Sequence, residues 1–282
     1  MTFLVARARS LLFVPASRPD RFPKALESGA GCVILDLEDA VAPDHKKSAR
    51  DQLSERLVDM SPAQLARIVV RINAAGTPWH DDDLRLLRDW TAKGIAGVVV
   101  PKAETTEVLR AAAAALGPKA AIVALVESLA GLDAVDELAS MEQVVRLAFG
   151  HLDFQLDLGM RCAAEEAELT CARFALVAAS RRAQLPPPID GVTTDTGNRE
   201  RLLADVRRAR AFGFGGKLCI HPAQVAPVNE TFAPTLNEIE WARRVIQAAQ
   251  VHSGEAFSLD GRMVDLPVIR LAEKTLHQAD LT

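Results

Sequence analysis

Two carboxylates occupy matching places in successive apolar runs. Glu127 closes AIVALV (residues 121–126), and Asp153 lies just past Gly150 after VVRLAFG (144–150). Both runs have the length and β-branched content of strands buried on both faces. The intervening LAGLDAVDELASMEQ is helical in pattern, so the unit is strand–helix–strand and its two acids arrive at one edge of a parallel sheet. Two acids converging beside glycine-loosened turns make a hard, oxygen-donor site of the kind magnesium prefers. Either acid alone reads as a cap on the helix that follows. The pair, on successive strands, points to a metal.

The rest of the chain repeats that unit. Strands are expected at Ser10–Ala16, Cys32–Leu37, Arg67–Ile72, Ile95–Val100, the two runs above, Ile189–Val192 and Lys217–Ile220. Helices separate them: one started by Ser17 and Pro19 and stopped by Gly29, with Pro23 awkward inside it, then about Pro43–Asp59, GTPWHDDDL to Gly94, the alanine-rich stretch ending at Gly117, about Glu165–Gln184, and Asn198–Gly213. Eight strands alternating with helices in 282 residues fit an α/β fold of the (β/α)8 TIM-barrel type. An open doubly wound sheet commonly has five or six strands, and no GxGxxG follows the first one, which removes the usual dinucleotide reading. The barrel takes residues 1–232. Residues 233–282 form a short C-terminal extension: a helix around Leu236–His252, a turn at Asp260–Gly261 and a short terminal helix begun by Pro267, for which Asp265 is a candidate cap. Met263, Val264 and Leu266 give that tail apolar surface suited to docking on another subunit.

In this architecture the rim at the strand C-termini carries the chemistry, and Asp36, Glu38, Arg71, Lys102, Glu127 and Asp153 all fall there. Some must be structural ion pairs, because close like charges need compensation. Lys102 invites a Schiff-base role, but acids and a metal nearby keep an amine protonated, so an ion-pair or binding role fits it better. A net charge of −4 with dispersed basic residues argues against nucleic acid as the main ligand. Apolar content of 49% suffices for a large core, no run approaches the ~20 residues of a membrane span, and no signal peptide is evident. Cys32, Cys162, Cys171 and Cys219 show no paired spacing, as expected of free thiols in a cytoplasmic protein.

The motifs LLFVPASRPDRFPKA, VILDLEDAVAPD, VRIN, VVVPKAE, LVES, FGHLDFQLDLG, IDGV, GKLCIHPAQV and DGRMVDLPV, in that order, resemble the citrate lyase β-subunit-like family, which includes malyl-CoA and citramalyl-CoA lyases. The resemblance implies a TIM barrel, magnesium, and lyase or Claisen-type chemistry on acyl-CoA thioesters. By position, Glu127 and Asp153 match the family's magnesium ligands, and Arg71 the arginine that grips the oxo- or hydroxy-acid carboxylate. Phe13, Arg18, Lys24, Ile220 and His221 match positions near the acyl-CoA substrate. Asp265 resembles an acid placed over a neighbouring subunit's active site, which implies a homo-oligomer, a trimer. Where members often read F-G-(S/T)-E-D, this chain has Phe149, Gly150, His151, Leu152 and Asp153, so the resemblance does not extend to the substrate. The leading expectation is a magnesium-dependent carbon–carbon lyase acting on a 3-hydroxyacyl-CoA thioester. The alternatives are a metal-dependent aldolase of free 4-hydroxy-2-oxo acids and a catalytically silent metabolite-binding subunit.

Overall fold

Each continuous apolar run becomes a strand because both of its faces are covered, one by the barrel interior and one by a helix. The computed structural model of the chain describes residues 4–118, 120–252 and 255–280. Its strands are β1 (Ser10–Pro15), β2 (Cys32–Asp36), β3 (Ile68–Arg71), β4 (Gly97–Val100), β5 (Ala121–Val126), β6 (Val144–Phe149), β7 (Ile189–Asp190) and β8 (Gly216–Cys219). They pair in parallel and in order, and β1 pairs with β8 to close the barrel. The chain is a (β/α)8 TIM barrel followed by a second compact unit, the division falling between Met1–Asn229 and Glu230–Thr282.

Side chains alternate along each strand, and the inward set is Leu11, Cys32 and Ile34, Val69, Val99, Val123 and Leu125, all buried. Continuing that alternation two residues further brings Asp36, Arg71 and Glu127 inward at the C-terminal rim. The opposite rim is closed differently. Arg146, one turn of the alternation below Ala148, is buried and donates to the carbonyls of Val5, Ala8 and Pro187, tying the chain before β1 and β7 under the barrel.

Several helices depart from their sequence-based limits. Ser17 caps nothing: a 3-10 turn, Pro19–Arg21, precedes the helix Phe22–Glu27, and Pro23 is harmless because it falls in the first turn, where no partner for its missing N–H is required. The helix after β2 opens as a 3-10 turn, Pro43–His45, before Lys46–Arg56. The segment between β5 and β6 is two short helices, Leu129–Asp133 and Val135–Ala139. The helix expected from Glu165 starts at Thr170, because Glu166 adopts a left-handed φ of 47° and only a 3-10 turn, Ala167–Leu169, follows it. An unforeseen helix, Pro62–Leu65, is set by a capping box between Ser61 and Gln64, with proline at its first position.

In the second unit, the helix Leu236–Val251 has its own capping box, Thr235 with Glu238. The Asp260–Gly261 turn joins β9 (Phe257–Leu259) to β10 (Arg262–Val264) in an antiparallel hairpin, with positive φ at both turn residues. The terminal helix, Leu266–Asp280, is 15 residues long rather than short. Its apolar face packs with Ala242, Val245, Phe257 and Val264, which gives this unit a core of its own. Among the described residues no helix is long and apolar enough to cross a membrane.

Candidate active site

Asp36 and Arg71 are register partners on β2 and β3, so their side chains emerge side by side at the rim. Arg71 forks onto Asp36, with Nε on Oδ1 and Nη2 on Oδ2, both at 2.7 Å. The same carboxylate accepts from the backbone N–H groups of Glu38 and Ala40. Nη1 of Arg71 donates to Asp39 at 3.2 Å and lies 2.8 Å from Glu38 Oε2, an ion-pair distance without hydrogen-bond alignment. Phe13 on β1 places its ring 4.8 Å from the guanidinium. One arginine thus gathers three acids. Burial lowers its pKa but the Asp36 charge outweighs this, and Arg71 stays charged. Glu38 is pushed up to about 8 by burial, against the pull of Arg71. Lys46, buried after the β2 turn, donates to the carbonyls of Leu37 and Glu38 and so fixes the loop that carries these acids.

Glu127 is buried at the end of β5 and its Oε1 accepts from the backbone N–H of Lys102 at 2.8 Å. That N–H is aimed by a left-handed residue, with Lys102 at φ 44°. Gly150 leaves the space that the other oxygen needs, since a Cβ there would come within 2.4 Å of Glu127 Oε2. Burial, reinforced by the nearby Asp153 charge, lifts Glu127 to about 7 despite the Lys102 N–H. Asp153 stands in the first turn of the helix His151–Asp157 and has no hydrogen bond or ion pair among the described residues. Glu127 and Asp153 face one cavity of ≈ 320 Å³, together with Phe13, Asp36, Arg71 and Ile220. The described residues contain no cluster of three or more His, Cys, Asp or Glu side chains in ligating positions. Two carboxylates with open coordination around them suit a hard divalent cation that keeps water and substrate oxygens as its other ligands.

The remaining expected residues lie elsewhere. The Lys102 side chain is exposed and has no acidic partner among the described residues, so the anticipated ion pair gives way to a role for its backbone. Arg18 is exposed and held by Asp20 at 2.8 Å, and Lys24 is exposed on the helix Phe22–Glu27. Neither lines the cavity. His221 is exposed too, and its Nδ1 accepts from the Ala223 N–H to cap a 3-10 turn. Asp265 belongs to the second unit, where its Oδ1 accepts from the Val268 N–H at the start of the terminal helix.

Sequence reasoning passed over a second charged group behind β6–β8. Arg173 bridges Glu166 at 2.5 Å and Asp190 at 3.2 Å, and Glu166 also meets Arg201 and Arg208. Lys217 donates to the Gly191 carbonyl, and the Gly191 Cα closes against the ring of His151. Burial lowers the pKa of His151 although Glu166 lies 3.5 Å away, which favours the neutral ring. A glutamate in an irregular segment has no periodic signal. The clue available was the arginine spacing of Arg201 and Arg208 on the helix Arg199–Phe212, which presents both to one partner.

Residues 9–222 match the HpcH/HpaI aldolase/citrate lyase family. Over 274 residues the chain is 37% identical to a citrate lyase subunit beta-like protein of Mycobacterium tuberculosis, covering 95% of this chain and 94% of that protein. It is 33% identical to a (3S)-malyl-CoA thioesterase of Cereibacter sphaeroides, over 96% of this chain and 94% of that one. The structure is similar to that of the protein CitE from Mycobacterium tuberculosis in complex with magnesium, acetoacetate and coenzyme A, with a TM-score of 0.82 at 35% identity, covering 98% and 99% of the two chains. A barrel whose rim carries this set of acids and one arginine, matched over most of its length, belongs to the HpcH/HpaI aldolase/citrate lyase family.

Proposed function

We propose that this chain is a magnesium-dependent carbon–carbon lyase that cleaves, or forms, a 3-hydroxyacyl-CoA thioester such as malyl-CoA or citramalyl-CoA. The observation that carries the reading is the pair Glu127, just past β5, and Asp153, in the first turn of the helix after the adjacent β6, both facing the same cavity as Arg71. These two carboxylates would hold the ion, and their donor chemistry fits it. Magnesium supplies a Lewis acid and a template for the oxygens of the oxo acid. CoA and oxo-acid ligands are supported by the relatives: one is named for malyl-CoA, and the CitE structure holds coenzyme A with acetoacetate.

The chain's own groups divide the work. Retro-Claisen cleavage removes the proton of the 3-hydroxyl, breaks the bond between carbons 2 and 3, and leaves the electron pair on carbon 2 as the thioester enolate, which takes up a proton to give the acyl-CoA product. Carbon 3 departs as the carbonyl of a 2-oxo acid. Arg71, preset by its fork on Asp36, offers Nη1 to the substrate carboxylate. Its contact with the exposed Asp39, at 3.2 Å, is the longest of its set and the one to be exchanged. Glu127 is oriented by the Lys102 N–H and by the space at Gly150. Asp265 of a neighbouring copy serves as the base, in a homo-oligomer, a trimer. Turnover of malyl-CoA, citramalyl-CoA and free 4-hydroxy-2-oxo acids tests this reading. Cleavage of a CoA thioester supports it, cleavage of the free acids alone makes the chain an aldolase, and no turnover makes it a binding protein.

A further inference from the structure

The lining of the cavity differs from strand to strand. Asp36, Asp39, Arg71 and Glu127 come from β2, β3, β5 and the turns after them, whereas Leu152, Val192, Leu218 and Ile220 come from β8 and the segments that follow β6–β8, where Asp153 beside Leu152 is the one charged lining residue. Leu152 is 45% and Ile220 40% exposed, so both present apolar surface that the described residues of the barrel leave open. Behind them the charges are spent on one another: Arg173 is held by Glu166 and Asp190, and Lys217 donates to Gly191. His151 also lines the cavity, with its ring closed against Gly191. Arg71 is the only arginine or lysine among the described lining residues, and three acids already engage it. An added carboxylate on the β6–β8 side would be desolvated against leucine and isoleucine with no positive partner. An alkyl group there would gain burial.

We infer that Leu152, with Val192 and Ile220, is a specificity wall that selects substrates carrying an alkyl substituent on carbon 3 and rejects those carrying a second carboxylate there. The inference rests on the lyase reading and narrows its substrate class to alkyl-substituted 3-hydroxyacyl thioesters. Cleavage turns carbon 3 into the carbonyl carbon of the 2-oxo acid, so its substituent survives in that product. The wall can therefore be probed without any turnover.

The experiment is calorimetric titration of the magnesium-loaded protein with glyoxylate, pyruvate, 2-oxobutyrate and oxaloacetate, whose substituents are hydrogen, methyl, ethyl and carboxymethyl. One carbon in an apolar site is worth about tenfold or more. Affinity should rise by that factor from glyoxylate to pyruvate and again to 2-oxobutyrate, with oxaloacetate weaker than 2-oxobutyrate. Leu152→Ala should erase about tenfold of the ethyl advantage, and Leu152→Lys should invert the order in favour of oxaloacetate. Oxaloacetate preferred by the unaltered chain, or an order unmoved by both variants, overturns the wall. A parallel thioester cleavage assay separates the two ideas. The predicted order without cleavage keeps the wall and refutes the lyase, cleavage without the order does the reverse, and binding of no oxo acid overturns both.

Discussion

Replacing Arg71 with lysine keeps the charge and removes the fork. In the structure the guanidinium spans both Asp36 oxygens at 2.7 Å and reaches Glu38 and Asp39 with its third nitrogen. A single ammonium cannot occupy these places together. At least one bond to Asp36 and the contact to the second pair of acids are lost. Charge-assisted hydrogen bonds contribute about 1.5–3 kcal/mol each, so the summed loss is about 2–5 kcal/mol. Glu38, pushed up to about 8, is already largely protonated at neutral pH, so losing its contact with the guanidinium strands no buried charge, which limits the penalty to the lower part of that range. The expected outcome for Arg71→Lys is a urea-unfolding free energy lower by about 2–3 kcal/mol with an unchanged m-value, together with a fall in kcat/KM well beyond tenfold. Stability within ~0.5 kcal/mol of the unaltered chain and a kinetic effect below about tenfold, or ~1.4 kcal/mol, would refute the claim that this arginine organises the rim.

Three further outcomes follow from the same geometry. Gly150→Ala should displace Glu127, weaken magnesium binding by about 10–100-fold and also cost stability, because the new Cβ would lie 2.4 Å from Oε2 and 2.5 Å from the Glu127 Cβ, which only a backbone shift relieves; calorimetric affinity like that of the unaltered chain would contradict this. Glu127 is lifted from 4.5 to about 7, so between those values the metal-free folded chain holds a proton that the unfolded chain does not; its contribution to stability is full below 4.5 and lost as pH rises through 7, whereas magnesium affinity should fall as pH drops below 7 with proton release on binding, and a pH-independent affinity between 5.5 and 8, on the order of these limits, would count against the ligand. Asp265→Asn should preserve the cap on the terminal helix, since asparagine caps about as well as aspartate, yet lower turnover by ~10²–10⁴-fold; unaltered turnover would confine Asp265 to the Val268 N–H bond.

The barrel was readable because parallel strands buried on both faces are continuous apolar runs, and all eight strand assignments agree with the structure to within two residues at each end. β7 ends two residues before the expected Val192, and what the pattern could not show there is the close approach of Gly191 to the His151 ring, a contact 40 residues apart in sequence. Rim charges were readable from their places at the strand C-termini: Asp36, Arg71 and Glu127 each continue an inward alternation. Their partners were less so. That Lys102 acts through its backbone rather than its ammonium follows from a φ of 44°, which no residue type announced. Nothing in the pattern around Asp39 or Lys46 announces a partner, and only the fold brings one to Arg71 and buries the other under Leu37 and Glu38. Glu166 illustrates the general difficulty, because its partners Arg173, Arg201 and Arg208 come from two helices and itself from a turn.

The most direct measurement is the magnesium dependence of thioester cleavage by protein stripped with EDTA and then titrated with the ion, for the unaltered chain and for Asp153→Asn. The account predicts no cleavage of malyl-CoA or citramalyl-CoA by the stripped protein, recovery that saturates with a single ion per chain, and no recovery in Asp153→Asn, which keeps its fold because Asp153 has no structural partner among the described residues. Cleavage that survives EDTA, or Asp153→Asn protein that recovers as the unaltered chain does, would contradict it.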